Sequence, residues 1–239
     1  MTMRKKHQGI CRLAIGWAFA LVAGGSGVSG QDVRIETLSF PKGPAGKIEL
    51  LTEPGKTIEV TLQSHALADP LVVPRLPVWK FGRSEVDAAG EPRFRTLAEV
   101  KPGPARRQLL IFVRKGPAVE DGFEVIPLNA GAAGFGEGKM FIMNLARREV
   151  AGQVGGRQFV LPPGQHVEVK PKADRPGGLS YALLRYKKGE KWRTLFSTNW
   201  PILKDARGLV FAYDGPGSKS VRLHSVVDAL IEVEEDAAP

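Results

Sequence analysis

His224, Ser225 and Asp228 are the residue types of a hydrolytic relay, close together near the C-terminus. A serine nucleophile needs an imidazole within hydrogen-bond reach. On a strand, His224 and Ser225 point to opposite faces, so they cannot share a proton. No Gly-x-Ser-x-Gly elbow occurs. The other histidines, His7, His65 and His166, form no pair at metal-ligand spacing. Cys11 is the only cysteine, so disulfide frameworks, zinc ribbons and iron–sulfur sites are excluded. Gly138-Lys139 ends a glycine-rich run, but a phosphate loop needs an opening glycine and a Ser or Thr after the lysine. Ala133 and Met140 stand there instead. No cofactor and no metal are expected. Asp69, Glu85, Asp87 and Glu91 supply carboxylates that glycoside hydrolysis would need in a spatial pair.

Binding chemistry has better candidates. Trp79 and Trp200 have no evident counterpart in the repeat described below, so each is a candidate platform on which a sugar ring stacks. Trp192, by contrast, matches Phe94 across the repeat and reads as a core position. Arg106-Arg107, Arg147-Arg148 and Lys187-Lys188 are basic pairs that would favour an anionic surface. The ligand-binding candidates are therefore Trp79, Trp200, Arg106, Arg107, Arg147, Arg148, Lys187 and Lys188. The expected partners are an envelope glycan, an anionic surface or a protein, and not nucleic acid.

The elements that position these residues are short β-rich runs separated by Gly and Pro. Ile58-Glu59-Val60 and Val167-Glu168-Val169 alternate as half-buried strands do. Leu109–Val113 is apolar throughout and suits a central strand. No sustained helical period occurs beyond residue 30. Three blocks recur in order. Residues 45–60 match 154–169, placing Pro54-Gly55 on Pro163-Gly164; Gly90–Leu97 matches Gly189–Leu195; Leu110–Pro117 matches Leu209–Pro216. The offset falls from 109 residues in the first block to 99 in the last, which implies about ten extra residues within 63–89 of the first copy. A period near 100 residues is the size of a domain. The expected fold is all-β: two tandem immunoglobulin-like β-sandwich domains arising from an internal duplication. The expected boundaries are domain 1 at 31–129, a flexible Gly-rich linker at 130–138, domain 2 at 139–229 and an acidic tail at 230–239.

Residues 1–30 read as a secretory signal, with Arg4, Lys5, Lys6 and Arg12 before an apolar run from Leu13 to Ala23. Small residues follow, with cleavage expected before Gln31. The segment holds four of the 34 Lys and Arg and none of the 25 Asp and Glu, so its removal would take the net charge from +9 to +5. No later apolar stretch is long enough to span a membrane. The expectation is an exported protein, periplasmic or extracellular, that binds or supports without catalysing. In size, basic charge, export signal and paired sandwiches the chain resembles pilus-assembly chaperones, which implies strand addition to a subunit as an alternative. A glycan-active enzyme on a sandwich scaffold is the other alternative.

Overall fold

A computed structural model of the protein describes residues 32–40, 46–114, 122–131, 134–215 and 220–230. The expected signal segment with Cys11, and the tail beyond Leu230, lie outside the described residues.

The described chain is all-β, with sixteen strands and no helix. In the first half these are β1 (Val33–Ser39), β2 (Gly46–Glu53), β3 (Lys56–Leu62), β4 (Leu71–Val73), β5 (Trp79–Val86), β6 (Pro92–Val100), β7 (Arg107–Arg114) and β8 (Phe123–Asn129). The second half has β9 (Met140–Asn144), β10 (Val150–Val154), β11 (Arg157–Leu161), β12 (His166–Val169), β13 (Leu179–Lys188), β14 (Lys191–Pro201), β15 (Ala206–Asp214) and β16 (Val221–Ala229). Of these only β4 escaped the sequence expectation, because Pro70 and Pro74 bracket it and mark a loop.

Four sheets of four strands form. Their orders are β3-β2-β5-β6, β4-β1-β7-β8, β12-β9-β15-β16 and β11-β10-β13-β14. Three apolar layers stack them. Trp79, Phe81, Leu110 and Phe112 join the first two sheets. Leu38, Leu109, Ile111, Phe141, Leu209 and Phe211 join the second and third. Ile142, Ala182, Leu184 and Val210 join the third and fourth. The two middle sheets are thus covered on both faces, which is why β7, β9 and β15 are almost continuously buried. The outer sheets alternate buried and exposed.

Strand for strand, the halves share one order, including a parallel pair of β1 with β7 and of β9 with β15. They also share an irregularity. The β5–β6 ladder skips Leu97, and the β13–β14 ladder skips Leu195, the last residue of each Arg-Thr-Leu triplet. Immunoglobulin domains divide seven strands as ABED and CFG. These eight-stranded halves match that expectation in having two packed sheets and depart from it in connectivity.

The structure corrects the registration of the other two blocks. Pro54-Gly55 turns the β2–β3 hairpin, whereas Pro163-Gly164 carries the chain from β11 to β12, strands of different sheets. The hairpin equivalent to β2–β3 is β10–β11, so Gly55 corresponds to Gly156, both at positive φ. The intervals between β3 and β5 and between β11 and β13 are then nearly equal, and the inferred insertion disappears. The last block is displaced by one residue. Its letter match sets Leu110 on Leu209, yet Leu110 faces the first sandwich core and Leu209 the layer between the halves. Setting Leu110 on Val210 restores the facing of every neighbour, since a slip of one residue exchanges the two sides of a strand.

The expected flexible linker is instead packed where it is described. Phe135 is fully buried in the layer between the halves, and its N–H donates to the Asn129 carbonyl. Gly134 makes that turn possible, because a Cβ there would lie 2.4 Å from the Asn129 carbonyl oxygen. One aromatic residue outweighs the glycine composition around it.

Candidate functional site

Trp79 is not an exposed platform. It is 0% exposed, and its Nε1 donates to the Pro74 carbonyl at 3.0 Å. The lack of a counterpart in the repeat made this position look like an exposed platform, but it opens a strand whose inward face is the core. Trp192 is displaced the other way. It is 41% exposed, beyond the bulge near a hairpin tip, where the outer sheet has no partner layer. Trp200 stays half-buried, with its ring centroid 5.3 Å from that of Phe196.

The basic candidates divide between two places. Arg147, Arg148, Lys187 and Lys188 gather at one end of the second half, on the β9–β10 connection and the end of β13. Asp214 faces Arg147 at 3.7 Å and Arg148 at 3.5 Å. Glu149 accepts from Lys187 at 2.9 Å, and this hydrogen bond raises the ammonium above its ordinary pKa. Arg106 and Arg107 lie instead at the start of β7, beside the junction of the halves. Arg107 reaches Glu36 at 3.3 Å.

The outer faces of the two halves differ although their strand order is the same. The first is laced with charge. Lys47 meets Glu59 at 2.7 Å, Lys80 meets Glu99 at 3.4 Å and Arg93 meets Glu85 at 2.7 Å. Glu49 accepts from the Ser84 main chain at 3.1 Å. The second presents a shallow groove of about 510 Å³ across β10, β11 and β13. Ala151, Val160 and Leu183 form its floor, and Gln153, directly opposite Gln158, supplies amides. Arg185 is the charged side chain among its lining residues. Val160 is 57% exposed, and neither glutamine amide has a hydrogen-bond partner among the described residues.

Trp200 belongs to a separate cleft of about 290 Å³. It opens between β14 and β16, the edge strands of the two sheets of the second half. Met140, Phe196, Leu203, Val210 and Leu223 line it, with Ser225 as the one polar side chain. Such walls suit an apolar guest better than a sugar, whose hydroxyls would find almost no partner.

Sequence reasoning missed a buried charge network between the halves. Arg207 is fully buried. Its Nε donates to Asp228 at 2.7 Å, its Nη1 to the Phe135 carbonyl at 3.0 Å, and its Nη2 to Glu36. The guanidinium also lies over the Phe135 ring at 5.3 Å. Burial pushes the Asp228 carboxyl above its ordinary range, and the Arg207 charge and hydrogen bond oppose that shift. The available signal was an arginine opening the otherwise apolar run Gly208–Ala212.

The relay trio is dispersed. His224 stacks on Phe40 at 4.5 Å and contacts the Ser64 carbonyl at 3.1 Å, Asp228 is held by Arg207, and Ser225 faces the Trp200 cleft. Of the carboxylates, Glu85, Asp87 and Glu91 share the β5–β6 hairpin end, and Asp69 lies apart from them. Glu85 pairs with Arg93, Asp87 accepts from two N–H groups of its own turn, and Asp69 lies at the junction of the halves. Among the described residues no group of three or more His, Cys, Asp or Glu could hold a metal ion, and no helix is long and apolar enough to cross a membrane. No protein-family model matches the chain, and no curated protein matches it either.

Proposed function

We infer that this is an exported, non-catalytic binding protein of the cell envelope, made by duplication of a two-sheet sandwich, and that it contacts neutral glycan through the groove on β10, β11 and β13. The duplication rests on the common strand order and the paired bulges at Leu97 and Leu195. Export rests on the signal-like residues 1–30. The observation that carries the binding reading is the difference between the outer faces. Where the first half saturates its surface with ion pairs, the second leaves two glutamine amides unpaired over an apolar floor. A sugar hydroxyl donates and accepts, and so does a glutamine amide. The C–H face of the ring rests on Ala151, Val160 and Leu183.

The test is sedimentation with insoluble envelope glycan at low and high salt. Pelleting should survive salt, and Gln153→Ala with Gln158→Ala should weaken it by about tenfold, the order of two lost hydrogen bonds. Pelleting that disappears in salt but persists in the double variant would replace the glycan groove by the basic end at Arg147, Arg148, Lys187 and Lys188.

A second reading is strand addition to a partner subunit. It is favoured by the Trp200 cleft, which lies between two edge strands and could seat an apolar side chain of an added strand. Co-purification of a defined subunit, lost in Leu223→Glu, would support it. A protein recovered alone from its own envelope would count against it.

A further inference from the structure

Beyond the groove and the cleft, the junction of the halves holds a polar cavity of about 250 Å³. Glu36 and Asp228, the two carboxylates that Arg207 engages from beneath, line it. Along β1, Leu38, Glu36 and Arg34 share one face, directed toward the second half. Leu38 joins the apolar layer, and Glu36 is taken by Arg107 and Arg207. Arg34 is one step further out. Its side chain has no ion pair or hydrogen bond among the described residues, and its Nε is buried with no partner. Its wall of the cavity is shared with Arg107, its partner in the parallel β1–β7 register. Arg107 spends one Nη2 contact on Glu36 and is half-exposed, so it keeps donors to spare.

The carboxylates nearby do not meet this demand. Glu36 and Asp228 are engaged by Arg207, and Asp69, at the other side of the cavity, pairs with neither arginine. A guanidinium that makes no ion pair and lines a cavity next to a second one in register is the geometry that oxyanions fill bidentately. We propose that this cavity binds a compact oxyanion, a carboxylate or phosphate group, between Arg34 and Arg107. The volume admits a small molecule rather than a polymer. Asp69 opposes multiply charged anions and favours a ligand carrying a hydroxyl or amino substituent on that side. The residues that close the cavity come from β1, the Leu67–Pro70 segment, β7, β16 and Leu230, so a bound anion sits at the junction of the halves, held by two arginines of the first.

Thermal unfolding of the full chain is followed in inorganic phosphate, in acetate and in glycine, each against sodium chloride at equal ionic strength. An anion bound only by the native state raises the midpoint as its concentration rises, and chloride does not. Arg34→Gln should weaken the response by about tenfold or more, because it removes a charged donor pair. It should unfold near the wild-type midpoint without anion, since Arg34 lies outside the Arg207 network. Asp69→Asn should strengthen the response to phosphate. Whichever of phosphate, acetate and glycine protects best identifies the group recognised. No protection of the wild type by any of the three, or equal protection of wild type and Arg34→Gln, overturns the proposal.

Discussion

The two halves run the same eight strands in the same order, yet their interiors are filled differently. Aligned on the shared bulge, Trp79 corresponds to Ala182 and Phe81 to Leu184. Aligned on facing, Leu110 corresponds to Val210 and Phe112 to Ala212. At all four positions the second half has the smaller side chain. The first sandwich is closed by its large residues, whereas Phe196, Trp200 and Leu203 of the second remain only partly buried around a cleft. The surfaces diverge in parallel, ion-paired on the first half and amide-lined on the second. One backbone plan is therefore closed where its core positions hold large residues and keeps a cleft where they hold small ones.

Substitutions at matched positions test that division. Trp79→Ala should cost about 3–5 kcal/mol of unfolding free energy, since it empties a fully buried site. Trp200→Ala, at a half-open cleft, should cost no more than about 1–2 kcal/mol. Equal losses in urea titrations would erase the distinction between a saturated and an open core. Arg207→Ala should cost about 3–5 kcal/mol, because Glu36 and Asp228 would be left without their buried cation. It should also split the unfolding transition if the halves hold together mainly through that network.

Smaller effects sharpen the comparison. Val210→Leu restores the residue of the first half at a cleft wall and should stabilise by about 0.5–1 kcal/mol while shrinking the cleft. Destabilisation would mean that the walls cannot take another methylene. The least effect is a slope with pH. Asp228 has a raised native pKa, so the native state holds its proton more tightly than the unfolded chain does. Its contribution is present below the ordinary value of 3.8 and is lost as pH rises through the raised native value. Stability measured across that window should therefore fall less with pH in Asp228→Asn than in the wild type. An identical slope in both would contradict the burial argument.

Fifteen of the sixteen strands were legible from alternation and from Gly and Pro punctuation, and β4 was hidden by its flanking prolines. The registration of the two halves was not legible in the matching blocks. Matching letters set Leu110 on Leu209, and only the side each residue faces shows the slip. The candidate site was legible in part. Trp200 and the pairs Arg147-Arg148 and Lys187-Lys188 stand out as residue types, but the gathering of the two pairs at one end does not. The groove was not legible, because Gln153 and Gln158 are ordinary residues until pairing of β10 with β11 sets them opposite each other.

By itself the sequence determined the all-β class and the Gly and Pro punctuation that separates its strands. Those properties follow from local alternation, composition and residue type, which need no knowledge of distant partners. Tertiary structure decided that Trp79 is core, that Phe135 anchors the supposed linker, and that Arg207 bridges the halves. It also decided that Arg34 faces a cavity without a partner. Burial and pairing of that kind depend on residues far apart in the chain, and the four-layer stack is what brings them together.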